Sequence, residues 1–123
     1  MVQYSRRIGE TFTAIADPTR RGILQRLGRG DASITDLAGR FRMTLTGMKK
    51  HVRVLEGAGL VESRKMGRVR TCRLGTRRLE SETAWIREYE RTVNERYDRL
   101  EALLERTKDA NDTANTGQDQ ETR

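Results

Sequence analysis

The apolar residues of this chain change their spacing as the sequence proceeds, and each change marks an element boundary. Ile8, Phe12 and Ile15 stand four and three residues apart, which predicts a helix over residues 5–15. Asp17 then offers a capping carboxylate, and Pro18 occupies a first helical position, where its missing N–H costs nothing. The second helix so begun holds Ile23, Leu24 and Leu27, carries Arg20, Arg21, Arg26 and Arg29 outside, and stops at Gly28 and Gly30. Ser33 with Asp36 fits a capping box for a third helix, whose apolar face is Ile34, Leu37, Ala38 and Phe41. After a short break at Arg42-Met43, Thr44 caps a fourth helix running to Glu56, with Gly57 and Gly59 closing it.

From Leu60 the period drops to two. Residues 60–64 read as a strand, Lys65-Met66-Gly67 as a turn and residues 68–74 as the returning strand. The last pattern is the longest. Over residues 76–106, Leu79, Ile86, Val93 and Leu100 recur every seven positions, and Tyr89, Tyr97, Leu103 and Leu104 widen the stripe. A helix of that length cannot bury its whole stripe on a small domain, so its natural partner is the same helix of a second copy; packing within one chain is the alternative. From Thr107 no large apolar residue follows, and residues 107–123 are expected to be a disordered polar tail. The fold class is therefore mainly α with a small β-hairpin wing, in the order α-α-α-α-β-β-α: one domain over residues 1–106, its dimerisation helix at 76–106.

Two short helices joined by a tight turn make a helix-turn-helix unit. On the second of them Met48, Val52 and Leu55 share one face, while Thr46, Lys50 and Arg53 lie opposite with Lys49 on the flank. Such a face can reach guanine, thymine and phosphate in a major groove, although a merely solvated face would look similar. The hairpin adds Arg64, Lys65, Arg68, Arg70 and Arg73, and a basic hairpin directly after a recognition helix has the form of a wing.

Charge sharpens this picture. The 123 residues carry a net charge of +7, with 16 Lys/Arg against 6 Asp/Glu over residues 1–75 and 9 against 12 beyond. The basic character belongs to the helix-turn-helix and wing, as a polyanion-binding module requires. One cysteine, Cys72, allows no internal disulfide, and one histidine with one cysteine makes poor material for zinc. No nucleophile–base pair, phosphate-cradling loop or ligand cluster suggests an enzyme. No apolar run reaches the roughly 20 residues of a membrane span, and the first ten residues hold no signal core, so a cytoplasmic chain is expected.

Three segments taken together are specific: residues 16–24 (Ala-Asp-Pro-Thr-Arg-Arg-Gly-Ile-Leu), residues 34–38 (Ile-Thr-Asp-Leu-Ala) and residues 50–61 (Lys-His-Val-Arg-Val-Leu-Glu-Gly-Ala-Gly-Leu-Val). In this order they resemble the ArsR/SmtB family of bacterial winged-helix repressors over about residues 8–104. The resemblance implies a homodimer with the first and last helices at its interface, bound to a double-stranded operator of two half-sites. The last helix is similar to a branch of the family that lacks metal sites. The third helix has no Cys-x-Cys pair, no histidine follows His51, and Gly47 stands where the family often has Pro or Thr. The implied DNA-binding residues are Thr44, Thr46, Gly47, Lys49, Lys50, Arg53, Arg64, Lys65 and Arg68. The implied interface residues are Phe12, Leu79, Ile86, Tyr89, Val93, Tyr97 and Leu100. No metal or cofactor is expected, and an unidentified small-molecule effector remains open. Two other readings stand beside this one: a thiol sensor in which nearby arginines lower the pKa of Cys72, and a winged helix that binds protein instead of DNA.

Overall fold

The computed structural model describes the backbone of residues 2–122 and the side chains of residues 6–111. Its elements are α1 (Val2–Ala16), α2 (Pro18–Leu27), β1 (Ala32–Ser33), α3 (Ile34–Arg40), α4 (Leu45–Gly57), β2 (Val61–Met66), β3 (Val69–Leu74) and α5 (Glu80–Thr122). They fall into two compact units, residues 1–82 and 83–123.

The helix starts follow local chemistry. Asp17 accepts the Arg20 N–H (3.0 Å), which holds its carboxyl below the ordinary value, and Pro18 opens α2. Ser33 accepts the Asp36 N–H (3.0 Å) to open α3, and Thr44 accepts the Gly47 N–H (3.0 Å) to open α4. The apolar faces then meet in one core. Ile23, Leu37, Met48, Val52 and Leu55 are almost completely buried, and Phe41, Met43 and Leu60 pack at its edge.

The sheet differs from a plain hairpin. It has three antiparallel strands in the order β1-β3-β2, because Ala32 and Ser33 pair with Cys72 and Thr71. A strand of two residues has no alternation to read, so sequence pattern cannot reveal it. The turn also lies further along than the spacing suggests. Met66 pairs with Val69, leaving Gly67 and Arg68 as a two-residue loop. Gly67 sits at φ +65°, as the first position of a II′ hairpin turn requires. Arg68 is therefore the tip of the wing.

The last helix also begins later than expected. Residues 75–79 are not helical, and Leu79 precedes α5. This segment is held by other bonds. Gly75 N–H donates to Leu60 O (2.9 Å), and the Arg77 guanidinium donates to Ala58 O (3.3 Å) and Thr11 Oγ1 (3.2 Å) while pairing with Glu82. Thr11 in turn donates to Glu82 Oε2 (2.5 Å). Thr11 and Glu82 are buried, so residues 77–82 are tied to α1 and to the end of α4 by a largely buried charged network. Burial pushes the Glu82 carboxyl up, but its bonds to Thr11 and Arg77 outweigh this and leave it at about 2.

Residues 107–111, expected to be disordered, are helical with exposed side chains, and the α5 backbone continues to Thr122. Residues 107–116 contain neither glycine nor proline, so nothing local stops a helix that is already propagating. The rest of the expected tail, in its side chains beyond Asn111 and at Arg123, lies outside the described residues.

Candidate nucleic-acid interface

The two faces of α4 have opposite characters. Met48, Val52 and Leu55 anchor one face in the core, which fixes the rotation of the helix. That rotation turns Thr46, Lys49, Lys50 and Arg53 outward, and all four are exposed, as is the cap Thr44. Gly47 is half-buried. A Cβ there would stand 3.1 Å from the Thr44 hydroxyl that accepts its N–H, so glycine keeps the cap undisturbed.

Between α4 and the wing lies a cleft of about 530 Å³. Lys49 and Arg53 line it from the helix, and Lys65, Arg68 and Arg70 line it from the hairpin, against a single carboxylate, Glu56. The structure thus brings together four of the expected cations. Arg64 is not among them: alternation along β2 puts it on the other face of the wing, in a hollow with Asp31, Glu62 and Arg73. Arg70 is an addition to the expected set. Its place on the strand facing the cleft follows from the hairpin register, which is visible only once the turn is placed at Gly67-Arg68.

Two groups of cations among the described residues differ in what their side chains bind. Those of α2 serve the fold. Arg20 donates to Ala14 O (2.8 Å) and Thr13 O (3.0 Å) at the end of α1, and also to His51 Nδ1 (3.2 Å). Arg21 donates to Ile15 O and Ala16 O, and Arg26 to Gly30 O. Arg20 and Arg21 thus satisfy orphan carbonyls at the end of α1, and Arg26 closes the loop after α2. On the hairpin, Arg73 pairs with Glu62 (3.0 Å). By contrast, the side chains of Lys49, Lys50, Arg53, Arg64, Lys65 and Arg68 are exposed and make no hydrogen bond or ion pair among the described residues. Unpaired cations on one helix face and one hairpin can accept an anion from outside.

His51 is part of the packing between α2 and α4, with Arg20 and Asp17 around its Nδ1. Cys72 is fully buried in β3. Burial, helped by the charge of Glu56, pushes its thiol up to about 11, although Arg70 acts in the opposite sense. The expected lowering by arginine is thus outweighed, and the thiol stays protonated at neutral pH, where the reactive form would be the thiolate.

The other candidate surface is on α5. Ile86, Tyr89, Tyr97 and Leu100 are exposed, together with Trp85, Leu103 and Leu104, and Val93 is half-buried. Trp85 and Tyr89 stack with ring centroids 5.8 Å apart. Phe12 on α1 and Leu79 before α5 are half-buried.

A family model described as a helix-turn-helix domain matches residues 15–64, which span the end of α1 through most of β2. The chain is 30% identical over 79 residues to the transcriptional repressor SdpR of Bacillus subtilis, covering 64% of this chain and 88% of that one. It is also similar to the crystal structure of an ArsR family transcriptional regulator, RHA00566, at 39% identity and a TM-score of 0.68, over 76% of this chain and 97% of the other. The chain belongs to the ArsR/SmtB family of winged helix-turn-helix transcriptional regulators. An ArsR-like regulator from Rhodococcus sp. RHA1 matches as well, with 30% identity and a TM-score of 0.60 over 89% of this chain and 97% of that one.

Among the described residues no three His, Cys, Asp or Glu side chains gather where they could hold an ion, and Cys72 is enclosed in the sheet. Nor is any described helix long and apolar enough to cross a membrane.

Proposed function

We propose that this ArsR/SmtB member is a cytoplasmic, homodimeric repressor that binds a specific double-stranded operator and acts by occupancy, without chemistry. The observation that carries this reading is the set of exposed, unpaired cations on the outer face of α4 and around the cleft beside it. With α4 in a major groove, Thr46, Lys49, Lys50 and Arg53 are placed to read base edges and fix register, with Thr44 and Gly47 at the entry of the helix. The wing, with Arg68 at its tip and Arg64 and Lys65 on its strand, is placed to follow the backbone or enter the adjacent minor groove.

The exposed stripe of α5 supports the dimer. Burying a side chain such as Ile86 or Leu100 contributes about 1.5–3 kcal/mol. A stripe of such residues left in water is a strong drive to associate, and a second copy presents the same stripe. Phe12 and Leu79 are assigned to the same interface. Residues 1–106 then form the working domain, and residues 107–123 an appendage to it. A dimer implies two half-sites related by its symmetry. The thiol-sensor reading is disfavoured by the buried, protonated Cys72. The protein-binding reading is disfavoured by the cationic face. The test is selection of duplexes from a random pool, followed by footprinting. An enriched site with inverted half-sites is expected; a pool that stays random at low salt would refute the reading.

A further inference from the structure

The turn joining α3 to α4 holds a backbone conformation that glycine elsewhere provides. Both helices end in the same hydrogen-bonded motif. After α4, Ala58 is the cap and Gly59 follows at φ +76°; Gly59 N–H donates to Glu56 O (2.9 Å) and Leu60 N–H to Leu55 O (3.0 Å). After α3, Phe41 is the cap and Arg42 follows at φ +53°; Arg42 N–H donates to Gly39 O (3.3 Å) and Met43 N–H to Ala38 O (2.9 Å). The residue after the cap is left-handed in both. That region crowds a Cβ against the following carbonyl, and glycine has no Cβ to crowd.

Arg42 is the one residue other than glycine at positive φ among the described residues. The motif does not ask for arginine, since its bonds come from the backbone and glycine would make them without strain. Nor does the fold use the side chain. It is exposed and makes no hydrogen bond or ion pair among the described residues. What arginine adds is a guanidinium on a side chain whose Cα is fixed by the turn, two residues before Thr44, the cap of α4. A planar guanidinium suits a phosphate, which it can grip with two parallel N–H bonds.

We propose that Arg42 is a phosphate anchor: one cation per protomer, borne on a fixed turn, that grips the DNA backbone whatever the base sequence, beyond the contacts of α4 and the wing. This rests on the DNA-binding reading above. The test compares the full-length wild type with Arg42→Gly, Arg42→Lys and Lys50→Ala. Binding is followed by anisotropy on the selected operator and on a random duplex across a salt series, with a thermal melt of each protein.

Arg42→Gly is expected to melt at the wild-type temperature or a few degrees above it. It should bind both duplexes more weakly by a common factor, roughly ten- to sixtyfold at about 0.1 M salt for two copies, with a salt slope shallower by about two. Arg42→Lys, which keeps the charge, should retain the wild-type slope. Wild-type binding by Arg42→Gly overturns the anchor. So does a lower melting temperature, which would mean the arginine serves the fold, and so does a loss confined to the operator, which would make it a base reader. If Lys50→Ala loses preference while Arg42→Gly binds like wild type, the anchor alone fails. If the wild type itself binds neither duplex, the DNA-binding reading fails.

Discussion

α4 and α5 present opposite surfaces to water. α4 buries Met48, Val52 and Leu55 and exposes lysines, an arginine and a threonine. α5 exposes Ile86, Tyr89, Tyr97 and Leu100. A solvated cationic face is cheap for a monomer to carry, so its meaning comes from being unpaired and concave. An apolar stripe is costly to leave in water, so its meaning comes from the cost itself. The two helices therefore ask for different partners, a polyanion and a second copy of the chain, and they should fail in different ways.

The largest expected effect comes from α5. Placing Glu at both Ile86 and Val93 puts four carboxylates into a two-fold interface. The result should be monomers by sedimentation at tens of micromolar, with operator binding lost, since each monomer can engage only one half-site. A wild-type chain that is itself monomeric under those conditions would break the comparison on the α5 side.

Next is the network beneath the start of α5. Glu82→Gln leaves the largely enclosed Arg77 without its counter-charge and should cost about 3–5 kcal/mol of stability by denaturant titration. The wild type has a linked pH dependence. Glu82 has its pKa lowered from 4.5 to about 2, so below 4.5 the unfolded chain takes up protons that the folded chain refuses. The stabilisation from Glu82 is complete above pH 4.5 and is lost as pH falls towards 2. The Gln variant should lack that part of the acid limb.

Smaller effects separate the roles of α4 and the wing. Lys50→Ala or Thr46→Ala should cost roughly 1–3 kcal/mol on the operator and relax base preference. Arg68→Ala should instead weaken all duplexes and flatten the salt slope by about one for each phosphate that is no longer neutralised. Arg68→Glu should be worse, because it repels the backbone. The smallest effect is expected from truncation after Lys108, which should leave DNA affinity nearly unchanged in the same assay.

Much of this was legible in the sequence because the signals were local and redundant. Asp17-Pro18, Ser33 and Thr44 each mark a helix start by side-chain chemistry, and Met48, Val52 and Leu55 declare the buried side of α4 by spacing alone. Features that depend on distant pairing were not legible. β1 exists only because Ala32 and Ser33 meet Cys72 and Thr71. The late start of α5 reflects the bonds of Arg77 to Thr11, Ala58 and Glu82. The candidate site shows the same division. Exposure of the α4 cations followed from helical period. The separation of Arg64 from Lys65, the arrival of Arg70 in the cleft and the use of Arg20 at the end of α1 needed the strand register and the packing of α2.

The central claim is that the outer face of α4 reads DNA sequence. The most direct measurement is the ratio of affinities for the selected operator and a scrambled duplex, by anisotropy at fixed salt, for the wild type, a Thr46→Ala/Lys50→Ala double variant and the chain truncated after Lys108. The account predicts a ratio that collapses towards one in the double variant and is preserved in the truncated chain. A double variant that keeps the wild-type ratio, with a truncated chain that loses it, would contradict the account.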